Sequence, residues 1–324
     1  MKSRREQVRA AIRMRGPEYA PLYFVNRDKE MSDIVMVDVV RHFMGGMRDL
    51  SEWGFRWERR DQTMGQPREP LIREWADLAA FRPPDPDDPA RFEEVVPTRE
   101  RYGDRYYCAS LVLSGFTLMS FLRGFSPLLA DLHAERERVE ELADMVFGFE
   151  EAVISRLPGQ GFDGVSFYDD WGTQSGLIVS PSLWREFWKP RYRRQFDLAH
   201  SQGLDVYFHC CGAVAELIPD LIECGVDMLN LGQPNVFDAE ELGRRFGGRV
   251  CFVMPVSYQT TSISGTREEI FEVVRGYKRH LGRFNGGLIG YIEEYGSIGL
   301  SEENYQACIE AFRDIGAGRW PSSH

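Results

Sequence analysis

A single α/β domain built as a (β/α)8 TIM barrel, with an N-terminal extension and a long insertion after the second strand, is the fold this sequence predicts. Two observations carry that reading. Eight short apolar runs recur along the chain, each bounded by turn residues or by helical periodicity. The runs are nearly continuous in apolar residues, as strands covered on both faces must be, and such strands belong to parallel sheets joined by helices.

The runs are APLYFV (20–25), DIVMVDVV (33–40), YYCASLVL (106–113), GVSFYDD (164–170), DVYFHC (205–210), MLNLGQ (228–233), VCFVMPV (250–256) and GGLIGYIEE (286–294). The segments between them read as helices. The opening residues carry Val8, Ala11 and Ile12 at helical spacing and predict an amphipathic helix. Residues 180–203 start on a Ser180 cap with Pro181 at the first helical position and stop at Gly203. A Thr266/Glu269 capping box opens the segment that ends at Gly282, and a Ser301 cap opens the one that ends at Gly316. AVAELIPDLIECG and DAEELGRRFGG are shorter helical units. The stretch 116–157 predicts two helices broken near Ser126-Pro127. Residues 41–105 are too long and irregular for a barrel connection. They read as an insertion, a β-hairpin plus loops, lying near the barrel mouth within one domain spanning 1–324. GAGRWPSSH closes the chain as a surface tail.

Composition narrows the function. Apolar residues make up 43% and charged residues 27%, ordinary values for a globular domain. A net charge of −11 makes nucleic acid and anionic membrane poor partners. No apolar run reaches the roughly 18 residues of a membrane span, and the basic first residues lack the apolar core of a secretory signal. Six scattered cysteines in such a chain read as free thiols in a reducing, cytoplasmic setting. There is no glycine-rich dinucleotide or phosphate loop and no serine-nucleophile elbow.

In a barrel of this kind, chemistry sits where strands end. Asp38 ends the second strand. Tyr168, Asp169 and Asp170 end the fourth, His209, Cys210 and Cys211 the fifth, Asn230 and Gln233 the sixth. Ser257, Tyr258 and Gln259 follow the seventh, and Tyr291, Glu293, Glu294 and Tyr295 mark the eighth. His209 and Cys211 stand at i and i+2, so a continuing strand turns both inward and Cys210 outward. They are either packing residues at a strand end or imidazole and thiolate ligands for a soft metal such as zinc. Glu293 and Glu294 either lie solvated past the sheet or lend one carboxylate to a cation. Asp169 and Asp170 suit a general acid/base or substrate-anchoring pair, or else cap a helix. The aromatic residues Tyr168, Trp171, Tyr258 and Tyr291 suit a flat or methylated ligand, or the core.

From about residue 100 to 315 the chain resembles the uroporphyrinogen decarboxylase superfamily. The similarity is strongest to the branch of zinc-dependent, corrinoid-linked methyltransferases. It rests on FDGVSFYDDWGTQSGLIVSPSLWREFWKPRYRR, VYFHCCGAVAELIPDLIECGVDMLNLGQP, GTREEI and GGLIGYIEEYGSIGLSEEN, with SRREQVRAAI and EWGFRWERRDQTMGQPREP near the N-terminus. The resemblance implies an enzyme that moves a methyl group between a small methylated substrate or thiol and methylcobalamin on a corrinoid protein partner. It implies zinc held by His209 and Cys211, with Glu294 standing where the family has a later cysteine. It places Gln233 where some members have an acidic ligand. Asp169, Asp170, Tyr258 and Gln233 are then expected to position the substrate, in a monomer or homodimer. The same resemblance implies two alternatives. One is a cofactor-free decarboxylase working through Asp38, although the loop FVNRDKEMSD carries only Arg27 in place of an arginine-rich signature. The other is a non-catalytic barrel that binds a small molecule.

Overall fold

The computed structural model describes residues 2–41, 49–58 and 65–316. Eight parallel strands form a nearly closed barrel with helices between them. The strands are β1 (Leu22–Val25), β2 (Ile34–Asp38), β3 (Tyr106–Leu113), β4 (Gly164–Tyr168), β5 (Asp205–Cys210), β6 (Met228–Leu231), β7 (Cys251–Met254) and β8 (Leu288–Glu293). Parallel ladders run without interruption from β2 through β3 to β8 and on to β1. Side chains stitch the remaining seam between β1 and β2. Asp33 accepts from Leu22 N–H at 2.8 Å and Ser32 Oγ from Phe24 N–H at 3.0 Å, while Asp33 N–H donates to Leu22 C=O.

Each apolar run contains its strand, and two coincide with it. The outward faces join the helices in the main core, with Phe167, Phe208, Leu229 and Phe252 among the fully buried residues. The inward faces form a second core rich in tyrosine: Tyr23, Tyr106, Tyr207 and Tyr291 beside Ile34, Cys108, Met228 and Ile289. Tyr23 meets Tyr207 and Tyr291 edge-on, with ring centroids 6.3 and 5.5 Å apart. Bulky aliphatic residues usually fill such a lumen. The tyrosines fill it here and line the way to the mouth with hydroxyls.

The helices follow the caps with local exceptions. Ser180 accepts from Leu183 N–H, Thr266 and Glu269 form the reciprocal box, and Ser301 accepts from Asn304 N–H. The segment 180–203 is two helices, Pro181–Phe187 and Lys189–Ser201. Pro190 starts the second because it lacks an N–H and its ring crowds the preceding turn. The stretch after β3 is three helices, Gly115–Arg123, Phe125–Ala134 and Arg136–Ile154. The first break falls at Gly124, whose φ of +94° suits glycine, and Pro127 sits in the first turn of the next helix.

The insertion holds a short hairpin, Trp57–Glu58 against Gln66–Pro67, and the helices Trp75–Ala80 and Val95–Tyr102. It packs on the helices after β3 through Trp53 against Phe149 and Phe55 against Phe121. Arg91 is buried beneath it, donating to Val39 C=O and pairing with Glu52. Parts of the expected insertion, 42–48 and 59–64, and the tail beyond 316 lie outside the described residues. No helix among the described residues is long and apolar enough to cross a membrane.

The helix Arg4–Ile12 closes the bottom of the barrel. Val8, Ala11 and Ile12 turn into the lumen core. Arg5, Arg9 and Arg13, four residues apart, share a neighbouring face. They meet aspartates at the starts of β4, β5 and β6. Arg5 and Arg9 donate to Asp163 at 2.7 Å each, and Arg13 pairs with Asp205 and Asp227. Asp163 also accepts from Tyr107 N–H at 3.0 Å. Replacing Asp163 by alanine leaves that buried N–H and two guanidinium groups without their partner. The expected loss is on the order of 3 kcal/mol, read as a lower urea midpoint; an unchanged midpoint contradicts this account of the seal.

Candidate metal centre

The site begins with two loops pressed together. Gly172, in the loop after β4, lies against the β5 loop so closely that a Cβ there would meet Ala213 N at 2.7 Å and Cys211 O at 2.8 Å. Gly212, at φ +82°, makes the same approach from the other side. Ala213 N–H donates to Thr173 C=O, and Trp171 N–H to Cys210 Sγ at 3.3 Å. Only glycines permit this backbone contact. Its consequence is that Asp170 reaches the end of β5, where its Oδ1 accepts from Cys211 N–H at 2.8 Å.

His209 and Cys211 are indeed side by side, with Nε2 and Sγ 3.4 Å apart. Cys210 turns outward and is buried. Asp170 Oδ1 lies 3.8 Å from His209 Nε2, and ligand atoms of Asp170, His209 and Cys211 all fall within 4.8 Å of one another. The imidazole is oriented from behind. Asn230 Nδ2 donates to Val253 C=O at 2.7 Å, which leaves its Oδ1 to accept from His209 Nδ1 at 2.5 Å. Neutral His209 therefore carries its proton on Nδ1 and presents the Nε2 lone pair to Cys211 and Asp170, the arrangement a metal-binding histidine needs. Tyr168 stacks on the ring at 5.0 Å. Gly232 leaves room beside the pair: a Cβ there would stand 2.9 Å from both Cys211 Sγ and His209 Cε1. Burial first, and the Asp170 carboxylate next, raise the Cys211 pKa, so the uncomplexed side chain is a thiol.

The third candidate ligand beside His209 and Cys211 is Asp170, in place of the expected Glu294. Glu294 is absent from this group; its Oε1 accepts from Gly296 N–H at 2.5 Å. Strand alternation explains the placement. Ile289 and Tyr291 face the lumen, so Glu293 does too, and Glu294 faces away. Glu293 Oε2 accepts from Tyr291 at 2.6 Å and Tyr295 at 2.5 Å. Gln233 accepts from Gln174 at 2.6 Å and adjoins Tyr258, whose ring lies 4.5 Å from Tyr295. Asp38 ends β2 beside Ser110, Tyr23 and Tyr168; it is exposed, yet the protein packed around its carboxylate disfavours the charged form and raises its pKa.

Asp169 is not at the mouth. It is fully buried, accepting from Phe116 and Thr117 N–H at 2.9 and 2.8 Å and from the Tyr192 hydroxyl. It therefore caps the helix Gly115–Arg123, the structural alternative for this residue, although the helix is not its own. Glu150, which sequence reasoning did not single out, accepts from Gly115 N–H at the same helix end at 2.9 Å and, from the helix Lys189–Ser201, from Gln195 Nε2 at 2.6 Å. Burial outweighs these hydrogen bonds and pushes Asp169 up to about 7 and Glu150 up to about 8.

A family model described as uroporphyrinogen decarboxylase (URO-D) matches residues 21–292. No curated protein matches the chain. Among solved structures, a methyltransferase from Methanosarcina mazei superposes with a TM-score of 0.67 at 14% identity, covering 97% of this chain and 99% of the other. A D-psicose 3-epimerase, at TM-score 0.48 and 10% identity, covers 90% and 91%. A chitinase from Chromobacterium violaceum, at 0.42 and 9%, covers 90% and 98%. At these identities the likeness concerns the fold.

The raised Glu150 pKa sets a pH dependence. A carboxyl that binds its proton more tightly folded than unfolded favours folding at low pH, and that contribution falls as pH rises from about 4.5 through about 8. Asp169, pushed up to about 7, acts likewise over an overlapping range, and Glu150 is the larger contributor from 7 to 8. Wild-type stability is expected to fall there with a contribution from Glu150 of up to about 1.4 kcal/mol per pH unit, and Glu150→Gln to fall less steeply, by urea unfolding at several pH values. Parallel profiles contradict the assignment.

Proposed function

Since the chain belongs to the uroporphyrinogen decarboxylase family, we propose that it is a metal-dependent methyltransferase, moving a methyl group between a small methylated substrate or thiol and a corrinoid protein. The observation that carries this reading is the convergence of Asp170, His209 and Cys211 on one point at the strand ends. An imidazole, a thiolate and a carboxylate suit zinc, and three protein ligands leave a fourth position open, as in catalytic sites. The fit has two further supports: Asn230 aims the Nε2 lone pair, and the missing Cβ of Gly232 keeps the adjoining space clear.

Asp170, His209 and Cys211 would hold the zinc, which would supply Lewis acidity toward the methyl donor's heteroatom or an acceptor thiol. The chain does the rest. Asn230 fixes the histidine tautomer, and the glycine contact between the loops fixes Asp170. Tyr258 and Gln233 stand across the mouth and orient the substrate. Asp169 and Glu150 act at a distance, by holding the helix end from which Thr117 Oγ1 accepts the Asp170 N–H at 3.1 Å. The methyl group's other carrier would be the corrinoid of a partner protein docked at the mouth. Asp38 at the end of β2 favours a second reading, a decarboxylase without metal, in which that carboxylate would act on the substrate directly.

Metal content and turnover separate the two. The methyltransferase reading expects about one zinc per chain in the wild type and methyl exchange between methylcobalamin and a thiol or methylated donor. His209→Ala and Cys211→Ser are expected to lose the zinc and at least about 100-fold in rate, and Gly232→Ala to bind zinc about 10-fold more weakly. Wild-type protein that retains no zinc, or variants that keep it, would sink the proposed centre.

A further inference from the structure

The ladder between β3 and β4 carries a strained residue. Ser110 pairs with Ser166 and Leu113 with Tyr168, so β3 takes three steps where β4 takes two. The extra residue makes a β-bulge, and a bulge near a site re-aims the chain around it. Val112 sits in it at φ +57°, a left-handed conformation that strains a β-branched side chain. Its N–H donates to Ser110 Oγ at 3.2 Å. The bulge sets Ser114 against the end of β4. Ser114 N–H donates to Tyr168 C=O at 3.0 Å, and Ser114 Oγ accepts from Tyr168 N–H at 3.1 Å.

The helix Gly115–Arg123 starts there and carries Thr117 to the two residues after β4. Thr117 Oγ1 donates to Asp169 Oδ1 at 2.8 Å, which leaves its lone pairs to accept from Asp170 N–H at 3.1 Å. The same Asp169 Oδ1 takes Thr117 N–H at 2.8 Å, so the threonine is held at backbone and side chain. A Cβ at Gly115 would collide with Asp169 Oδ2, so glycine lets the helix end come this close. The backbone bonds from β4 to β5 stop at Asp169, whose N–H donates to His209 C=O at 3.1 Å. Asp170 lies between that bond and the glycine contact at Gly172. Among the described residues, Thr117 Oγ1 alone accepts its N–H. The Asp170 side chain beyond is half-exposed, with Oδ1 on Cys211 N–H.

We infer that Thr117 is the positioning residue for the third metal ligand: through its hydroxyl, the strained bulge of β3 fixes the peptide from which Asp170 reaches Cys211 and His209. The inference rests on the proposed metal centre and names what holds its carboxylate from the β3 side. Thr117 bonds to the backbone of Asp170 and leaves the carboxylate free, so it acts on the geometry of the site. Losing the hydroxyl unpairs the Asp170 N–H and lets that peptide turn, which carries the carboxylate off the Cys211 N–H. Serine keeps the hydroxyl and valine keeps the branched shape, so the two variants separate hydrogen bonding from packing.

The test has a metal-free arm and a zinc arm, both on the full-length protein. In the metal-free protein, hydrogen exchange at the Cys211 amide, followed by NMR, reports whether Asp170 still accepts from it. Thr117→Val is expected to speed that exchange about 10-fold and Thr117→Ser to leave it within about 3-fold of the wild type. Zinc affinity, measured by competition with a chromogenic chelator, should fall about 10-fold in Thr117→Val and recover in Thr117→Ser. In an Asp170→Ala background Thr117→Val should cost no further affinity, because the ligand it positions is gone. Should Thr117→Val fail to fold, Thr117→Ala takes its place in both arms. Unchanged exchange at Cys211, no recovery in Thr117→Ser, or an equal loss of affinity with and without Asp170 overturns the inference. Zinc binding without the exchange difference removes this inference alone. The exchange difference in a protein that binds no zinc leaves the positioning of Asp170 standing and removes the metal-centre reading beneath it.

Discussion

The close approach of Gly172 and Gly212 is the constraint on which the candidate centre depends. Two βα loops can touch backbone to backbone only where neither residue has a side chain. That contact brings Asp170 onto the backbone N–H of Cys211 and within 3.8 Å of His209 Nε2. Without it the barrel would still present His209 and Cys211 as neighbours on one strand, but two ligands do not make a catalytic metal site. The carboxylate arrives from a different strand because the two loops are hydrogen-bonded together there.

Around that contact the molecule shows a division of labour. The bottom of the barrel is sealed by arginines of the first helix against Asp163, Asp205 and Asp227. The lumen is filled by tyrosines, and among the described residues the mouth carries carboxylates and the His209 imidazole. Behind the mouth, Asp169 and Glu150 share the N-terminus of the helix after β3, where partial positive charge favours carboxylates. Burial still raises both pKa values, so these groups trade stability for position. Their helix end in turn holds the chain at Asp170 through Thr117.

Much of this was legible beforehand. Each barrel strand lies inside its apolar run, because a strand buried on both faces leaves an uninterrupted signal. The pairing of His209 with Cys211 followed from strand alternation alone. Other features were not legible, for reasons of geometry. Asp170 stood out as an acid/base residue, yet its place beside Cys211 depends on two glycines in separate loops, whose contact no local pattern reveals. Asp169 differs from it by one position and is buried as a helix cap, because the chain turns between them. Glu293 and Glu294 divide likewise: the resemblance pointed to Glu294, and the pleat of β8 puts Glu293 in the lumen. Asn230 ended a strand without any mark of its role, which appears only when Val253 is seen to occupy its amide nitrogen.

X-ray absorption at the zinc edge of the zinc-loaded protein tests the centre most directly. The account predicts one sulfur at about 2.3 Å, from Cys211, with nitrogen and oxygen neighbours at about 2.0–2.2 Å, and an imidazole signature that disappears in His209→Ala. A spectrum with no sulfur, or with two or more, would contradict it.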